Sequence, residues 1–156
     1  RVNGSLHMLD RGEGERTEPV TLVRDRPPEE VMADYLTEAC RMAESSAEFE
    51  VFCHLDYAAR SWPAEQAGPF DAHRFEDGFR SALRAIARSG RALELNTRRL
   101  EPWLPTWWAQ EGGRAISFGS DSHGPDQLAH GFRAAMELAG SCGFRPGADP
   151  ADFWRR

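Results

Sequence analysis

The sequence of 156 residues contains no lysine, few cysteines and no long apolar run. All 19 basic residues are arginine, a bias that we attribute to genome composition rather than to function. No arginine-rich run stands out and the formal net charge is −6, so a nucleic-acid partner is not expected. No apolar run approaches the ~20 residues that a membrane span requires, and no signal-peptide pattern occurs. A membrane partner is therefore not expected either.

Cysteine is scarce, and its distribution bears on the cellular compartment. Cys40, Cys53 and Cys142 are odd in number and show no CxxC spacing. We therefore expect neither a disulfide framework nor a cysteine zinc site, and a reducing cytoplasm is the default location. The remaining composition, 40% hydrophobic and 28% charged, suits one globular domain and gives no indication of the oligomeric state.

Four segments have the pattern of a strand followed by a helix. Strands are predicted at 1–9, 49–56, 91–97 and 114–118, and helices at 28–43, 71–89, about 103–108 and 125–141. A charged loop is predicted at 10–26, and a tail extended over the surface at 145–156. Strands that alternate with helices predict a mostly parallel α/β fold. This pattern fits both half of a β/α barrel and a doubly wound open sheet, and it does not distinguish them.

Three of the predicted helices carry an apolar stripe at helical spacing, and in the helix at 71–89 it is Phe75, Phe79, Ala82, Leu83 and Ile86. In the first helix the predicted buried face is Val31, Met32, Tyr35, Leu36, Ala39 and Ala43. In the last helix it is Leu128, Phe132, Ala135, Met136 and Ala139.

Each predicted strand ends in polar side chains that could bind a metal. Ligands of parallel α/β folds bind at the carboxyl ends of the strands, and residues at i and i+2 of a strand point to the same face. The strand-end residues are His7, His54 and Asp56, Glu94 and Asn96, and Asp121 and His123. Carboxylate and imidazole together suit Zn, Mn or Fe. Each pair taken alone fits a polar turn, but repetition at four strand ends favours a metal site.

Other polar and aromatic residues have simpler interpretations. His73 begins a predicted helix and His130 lies off an apolar stripe, so we expect both to be solvated. Trp103, Trp107 and Trp108 are predicted to pack in the core or at the rim of a barrel rather than to stack on nucleic-acid bases.

The motifs GSLH, FCHLD, LELNT and ISFGSDSH occur in this order, before a final amphipathic helix that ends in Cys-Gly-Phe. In these motifs the chain resembles the C-terminal portion of PHP-domain (polymerase and histidinol phosphatase) phosphoesterases of the histidinol-phosphatase branch. The resemblance implies four βα units of a distorted, TIM-barrel-like (β/α)7 barrel over residues 1–144, followed by the tail 145–156. It implies hydrolysis of a small phosphate monoester, with histidinol phosphate as the first substrate, by metal-activated hydroxide.

The resemblance also implies roles for individual side chains. The expected ligands of two or three Zn, Mn or Fe ions are His7, His54, Asp121 and His123, of which the last three form the expected catalytic set. The expected orienting residues are Asp56, Glu94 and Asn96. The expected phosphate-binding residues are Arg60, Arg98 and Arg99, whose planar guanidinium matches phosphate oxygens. A solvated surface charge is the alternative for each arginine.

The start of the chain departs from the family pattern. Family members begin with an HxH motif and then a further His or Asp and a Glu, and no HxH occurs here. We therefore expect an incomplete fragment that has little or no phosphatase activity alone. Two alternatives remain, a non-catalytic α/β binding or regulatory domain with a relict metal pocket, and a PHP nuclease or phosphodiesterase. The acidic charge balance counts against the nuclease.

Overall fold

The computed structural model of this protein describes residues 1–12 and 14–156. In this part of the chain the strands are Asn3–Ser5 (β1), Leu9–Gly12 (β2), Glu15–Thr17 (β3), Val51–Cys53 (β4), Ala92–Asn96 (β5), Ala115–Gly119 (β6) and Trp154–Arg155 (β7). The α-helices are Pro19–Leu22 (α1), Pro28–Glu44 (α2), Ala64–Ala67 (α3), Glu76–Arg88 (α4), Trp103–Gln110 (α5) and Phe132–Ser141 (α6). Short 3-10 helices lie at Tyr57–Ser61, Ala72–Phe75, Thr97–Arg99 and Pro125–Gln127. None of the described helices is both long and apolar enough to cross a bilayer.

The main sheet has the strand order β1-β4-β5-β6-β7. The pairs β1–β4, β4–β5 and β5–β6 are parallel. Helical structure directly follows β4, β5 and β6, whereas the strands β2 and β3 lie between β1 and α1. The structure thus confirms a mixed α/β fold with a parallel sheet. Because parallel strands share one direction, the carboxyl ends of β1, β4, β5 and β6 meet at the same edge, where ligands of such folds bind.

Helix α2 forms where its apolar stripe predicts. Pro28 occupies the first turn, where its missing N–H costs nothing, and Glu29 and Glu30 complement the helix dipole there. All six residues of the predicted stripe are buried, and the helix packs against α4. Helix α4 begins at Glu76, later than the predicted 71, because a 3-10 turn occupies Ala72–Phe75.

The prediction of a charged loop at 10–26 was wrong. Strands β2 and β3 form an antiparallel hairpin there, and α1 follows. The Asp10 side chain accepts a hydrogen bond from the Gly12 N–H at 2.8 Å, and Gly12 adopts φ 106°, which suits glycine. Leu9 and Leu22 are buried and tie this segment to the core. Glu13 lies outside the described residues.

The prediction of a continuous helix over 125–141 was wrong in its first half. The 3-10 turn Pro125–Gln127 is separated from α6 by residues that include Ala129 at φ 56° and Gly131 at φ 72°. The Thr97 hydroxyl donates to the His130 carbonyl, and a Cβ at position 131 would lie 2.9 Å from the Thr97 carbonyl oxygen. Position 131 therefore requires glycine, and the chain bends there.

The bend changes which residues of the last predicted helix are buried. Ala135 and Ala139 are buried as predicted, whereas Leu128 is 69% exposed and Met136 is 36% exposed. Leu128 precedes the bend and so does not share the buried face of α6.

The tail at 145–156 was predicted to extend over the surface, but part of it joins the sheet. Strand β7 pairs antiparallel with β6, and the Arg145 and Arg155 backbones exchange two hydrogen bonds of 2.8 Å. Phe153 packs against a second apolar cluster formed by Val51, Cys53, Ala92 and Ala115. The tail therefore adds a strand to one edge of the sheet, and its Phe153 covers this cluster.

The three tryptophans of α5 pack in the core, as predicted. Trp107 and Trp108 are buried, and the partly buried Trp103 packs with Phe79 at a ring-centroid distance of 4.7 Å.

Candidate active site at the carboxyl ends of the strands

The site centres on His54, which directly follows β4. Its backbone has φ 53°, an uncommon value for a residue other than glycine. Its ring Nδ1 lies 2.9 Å from Glu94 Oε2, and its backbone N–H donates to the same oxygen at 3.2 Å. A carboxylate accepts hydrogen bonds, so the Nδ1 that faces Glu94 carries the proton and Nε2 keeps a lone pair. Glu94 therefore fixes both the position and the tautomer of His54.

Electrostatic forces on His54 oppose one another. Burial lowers the pKa of the imidazole, but the hydrogen bond and the negative charge of Glu94 outweigh this, so the pKa is raised from its usual 6.5. Glu94 itself is 8% exposed. Because a buried carboxylate without a partner is costly, the pair is mutually stabilising.

Gly119 in β6 makes room for Glu94. A Cβ at position 119 would overlap Glu94 Oε1, so the carboxylate occupies the space that a side chain would need. Asn96, two residues beyond Glu94 in β5, places its Nδ2 3.1 Å from His54 Nδ1. The i and i+2 spacing of Glu94 and Asn96 therefore places both side chains near the same imidazole.

His7, which follows β1, lies beside His54. The two imidazole rings are stacked with centroids 5.8 Å apart, and Tyr57 stacks on His7 at 4.3 Å. Burial lowers the pKa of His7, and the nearby His54 and Arg60 lower it further. A lowered pKa favours the neutral imidazole, which is the form that binds metals.

Asp121 follows β6 and completes the group. Its backbone has φ 47°, and its Oδ2 accepts from Arg60 Nη2 at 3.2 Å. Burial would raise the pKa of this carboxyl, but the charges of Arg60 and His54 outweigh burial and lower the pKa from its usual value. Asp121 is therefore ionised at neutral pH and lies close enough to the histidines to affect them.

Arg60 has a donor without a partner. Its Nε is buried and forms no hydrogen bond with residues 1–12 or 14–156, although the side chain as a whole remains 28% exposed. A buried unpaired N–H is unfavourable and calls for an explanation such as a ligand. The Arg60 guanidinium also lies over Tyr57, with its carbon 5.5 Å from the ring centroid.

Asp56 lies below the surface, at 4% exposure. Burial raises the pKa of this carboxyl, and the charges of Arg60, Arg99 and His54 act in the opposite direction. The prediction that Asp56 shares the site is therefore consistent with its neighbours, and Arg60 and Arg99 are both close enough to act on it.

His123 takes a different position from the other predicted ligands. Its Nδ1 lies 2.8 Å from the Asp121 carbonyl oxygen and 3.1 Å from Arg98 Nη1, and its N–H donates to Gln127 at 3.1 Å. Arg98 Nη1 also donates to the Asp121 carbonyl at 3.0 Å. The structure thus joins His123 to Asp121 and Arg98 and leaves its Nε2 for any further ligand.

The donor chemistry of the site fits a divalent metal, although the predicted set is not assembled as one cluster. In the described residues no three His, Cys, Asp or Glu side chains form a ready group of metal ligands. His54 does have the carboxylate on Nδ1 that commonly accompanies a metal-bound histidine, and His7 and Asp121 lie next to it. Two imidazoles and a carboxylate are a suitable partial set for Zn.

One cavity of the described structure lies beside the site, and a larger one lies between helices. A cavity of about 220 Å³ is lined by Arg98, Ser120, Gln127 and His130, next to the residues that hold His123. A larger one of about 660 Å³ lies between α2 and α4 and includes none of the predicted site residues. We place the candidate active site at the strand ends because a catalytic site is indicated by converging ionisable groups rather than by cavity volume.

Sequence reasoning missed two tyrosines of the site. Tyr57 stacks on His7 and was not singled out. Tyr35 was predicted as part of an apolar stripe, but its hydroxyl contacts the backbone of His54. The available signal was the polar tip of a tyrosine, which needs a hydrogen-bond partner when it is buried.

Comparison with known proteins identifies similar chains, although no family model matches. A protein of Clostridium acetobutylicum named "probable histidinol-phosphatase" is 28% identical over 153 residues, covering 93% of this chain and 58% of the relative. A protein of Thermotoga maritima with the same name is 30% identical over 118 residues, covering 70% of this chain and 48% of the relative. The chain thus spans about half the length of these curated relatives.

A solved structure has a similar fold. It is the crystal structure of histidinol phosphate phosphatase from Lactococcus lactis subsp. lactis complexed with Zn, L-histidinol and phosphate. The TM-score is 0.72 at 25% identity, over 92% of this chain and 56% of that chain. The similarity to these proteins supports the resemblance to histidinol phosphatases that the motifs indicate. The PHP domain itself stays a prediction.

Proposed function

We propose that this chain is part of a metal-dependent phosphoesterase that hydrolyses histidinol phosphate. The observation that carries the proposal is the His54–Glu94 pair at a strand end, 2.9 Å apart, beside the unpaired Nε of Arg60. The pair suits a metal ligand with its orienting carboxylate, and the arginine suits a phosphate oxygen. The names of the relatives and the Zn, L-histidinol and phosphate in the similar structure support both assignments.

The metal would be held by His7, His54 and Asp121, with His123 joining through Nε2. A second or third ion would require ligands in addition to these, and Zn, Mn or Fe all suit the donor types. When bound, such an ion supplies an activated water at neutral pH and polarises the phosphoryl oxygens. Glu94 would hold the His54 ring through Nδ1, and Asn96 and Asp56 lie near the ring.

The phosphate would be bound by arginines. Arg60 presents an unpaired donor, and Arg98 lines the 220 Å³ cavity. Arg99 is close enough to Asp56 to affect its charge. The three guanidinium groups lie among the carboxylates of the site, and they would neutralise the non-bridging oxygens of the ester.

The finer architecture belongs to the same proposal. Residues 1–144 would form four βα units of a distorted (β/α)7 barrel of PHP type, and 145–156 its C-terminal segment. Strand β1 lies at one end of the strand order. In this arrangement it would pair with a further strand of the barrel. The odd number of cysteines supports a cytoplasmic location.

The test uses protein expressed from the complete reading frame. The parent should contain divalent metal and release phosphate from histidinol phosphate, and Asp121→Ala and His123→Ala should each lose both. His73→Ala is the matched control, because His73 is exposed and lies outside the site. Parental metal content and turnover in both site variants would refute the assignment.

The same experiment distinguishes the alternatives. Cleavage of single-stranded DNA in preference to the phosphate monoester would favour a nuclease. A protein without metal or turnover would favour a binding or regulatory domain. The 156-residue chain alone is expected to show little or no turnover, and robust turnover by it would contradict the fragment interpretation.

A further inference from the structure

Tyr35 is a fully buried tyrosine of α2 whose hydroxyl reaches the strand ends. Its oxygen lies 2.9 Å from the His54 carbonyl oxygen and 3.3 Å from the Leu6 carbonyl oxygen. Leu6 immediately precedes His7 in the chain. A single hydroxyl therefore touches the backbone next to both imidazoles of the candidate site.

The hydroxyl acts as a donor. Both of its partners are carbonyl oxygens, which only accept hydrogen bonds, so the phenol O–H is the donor in these contacts. A phenol has one proton, and it is donated mainly to the nearer carbonyl, that of His54. The Leu6 carbonyl is close enough to share it.

The carbonyl that receives this proton belongs to a residue in an uncommon conformation. His54 has φ 53°, and its carbonyl also accepts from the Tyr57 N–H at 2.8 Å. Backbone conformations of this kind persist where surrounding contacts hold them. The His54 backbone is held from both sides, by Glu94 at the N–H and by Tyr35 and Tyr57 at the carbonyl.

We propose that Tyr35 is a positioning residue that holds His54 and His7 in register for binding a divalent metal. The proposal rests on the function proposed above. It means that α2 positions the metal-binding histidines in addition to packing against the core. A phenylalanine would supply the same buried ring. The hydroxyl is therefore the part of the side chain that the proposal concerns, and Tyr35→Phe removes it alone.

The control is Trp108→Phe. Trp108 is also fully buried and also donates from its side chain to a strand carbonyl, that of Ala115 at 3.2 Å. Ala115 is the first residue of β6, at the edge of the sheet opposite the site. This variant therefore removes a comparable hydrogen bond, and more packing, without touching the strand ends.

The first measurement needs no metal. Ring Cε1–H resonances of the five histidines are recorded by NMR in the 156-residue chain and assigned with single histidine variants. Tyr35→Phe should shift the His54 and His7 signals and leave those of His73 and His130 in place. Trp108→Phe should leave the His54 and His7 signals unchanged.

The second measurement is zinc affinity, by competition with a chelating dye, on protein from the complete reading frame. Partners that orient metal ligands change affinity by about 10–100-fold, and we expect about tenfold weaker binding in Tyr35→Phe than in Trp108→Phe. If Tyr35→Phe keeps either the parental ring signals or the parental zinc affinity, the proposal is overturned. If the parent binds no zinc, the proposed function fails, and the ring signals still decide whether Tyr35 positions the histidines.

Discussion

Replacing Gly119 by alanine should destabilise the protein, although this change usually does the opposite. Gly119 lies in β6 with a backbone conformation open to any residue. A Gly→Ala change at such a position usually stabilises by about 0.4–1 kcal/mol, because the unfolded chain loses freedom. Here, however, the new Cβ would overlap Glu94 Oε1. The sign of the effect therefore reports on the position of the Glu94 carboxylate.

The size of the loss follows from the contacts of Glu94. Its Oε2 accepts from His54 at 3.2 Å and 2.9 Å, and hydrogen bonds to a charged group contribute about 1.5–3 kcal/mol each. Overpacking adds about 1–3 kcal/mol, while relaxation of the side chain recovers part of both. We expect a net loss of about 2–4 kcal/mol, which lowers the melting temperature by roughly 5–15 °C for a chain of this length.

Urea unfolding followed by circular dichroism measures this loss. Gly140→Ala is the matched control, because its new Cβ would meet only Arg145 Nη1 at 3.9 Å within α6. A glycine inside a helix costs about 0.5–1 kcal/mol relative to alanine, so this variant should gain that amount. Removing the carboxylate removes the overlap, so Gly119→Ala should be much less costly in a Glu94→Ala background. Stability at or above the parental level in Gly119→Ala, or equal costs in both backgrounds, would refute the reasoning.

Three further predictions concern charge, thiol reactivity and phosphate binding. The Glu111 carboxylate accepts hydrogen bonds from Arg80 and Arg84 at 2.7 Å each. Burial raises the pKa of Glu111, but these hydrogen bonds outweigh burial, so the pKa is lowered from 4.5. The contribution of Glu111 is therefore present at neutral pH and lost as pH falls through its folded pKa. Glu111→Gln should cost about 1 kcal/mol at pH 7 and progressively less as the pH falls below 4.5, measured by urea unfolding; a cost independent of pH would contradict this. Burial raises the pKa of Cys53 to about 12, so Ellman's reagent at pH 8 should modify it only after unfolding, and modification of the native chain would count against this. In protein from the complete reading frame, Arg60→Lys should raise KM for histidinol phosphate about tenfold, because lysine keeps the charge but loses the planar fork; an unchanged KM would exclude Arg60 from the phosphate site.

The sequence predicted best those parts of the fold that local periodicity determines. Helix α2 has its apolar stripe, Pro28 and acidic first turn within 17 residues, so its bounds and buried face were confirmed. The proximity of two strand-end histidines has a similar reason. Parallel strands bring their carboxyl ends together whatever their exact length, so His7 and His54 meet even though β1 and β4 are short.

Features that depend on distant contacts could not be predicted in this way. The bend before α6 requires Thr97 to meet the His130 carbonyl, which no local pattern records. The pairing of β7 with β6 similarly depends on residues far apart in the chain. Within the site, the i and i+2 rule placed Glu94 and Asn96 together, but it could not indicate that Glu94 would bind His54 across two strands.

Tyr35 shows the same limit in one residue. Its ring fits the helical stripe, and a hydrophobic pattern treats it as a core side chain. Its hydroxyl, however, contacts two carbonyls that belong to other elements. The polar atom of a buried side chain can therefore contact a site, and a hydrophobic pattern in the sequence does not reveal this contact.

The most direct test of the proposed active site is the rate of phosphate release from histidinol phosphate by His54→Ala, in protein from the complete reading frame. His54 joins the metal assignment, the Glu94 contact and the Tyr35 contact in one residue. We predict that this variant loses at least 100-fold in kcat/KM, about 2.7 kcal/mol, while His73→Ala keeps the parental rate. Equal rates in His54→Ala and the parent would contradict the assignment of the active site to the strand ends.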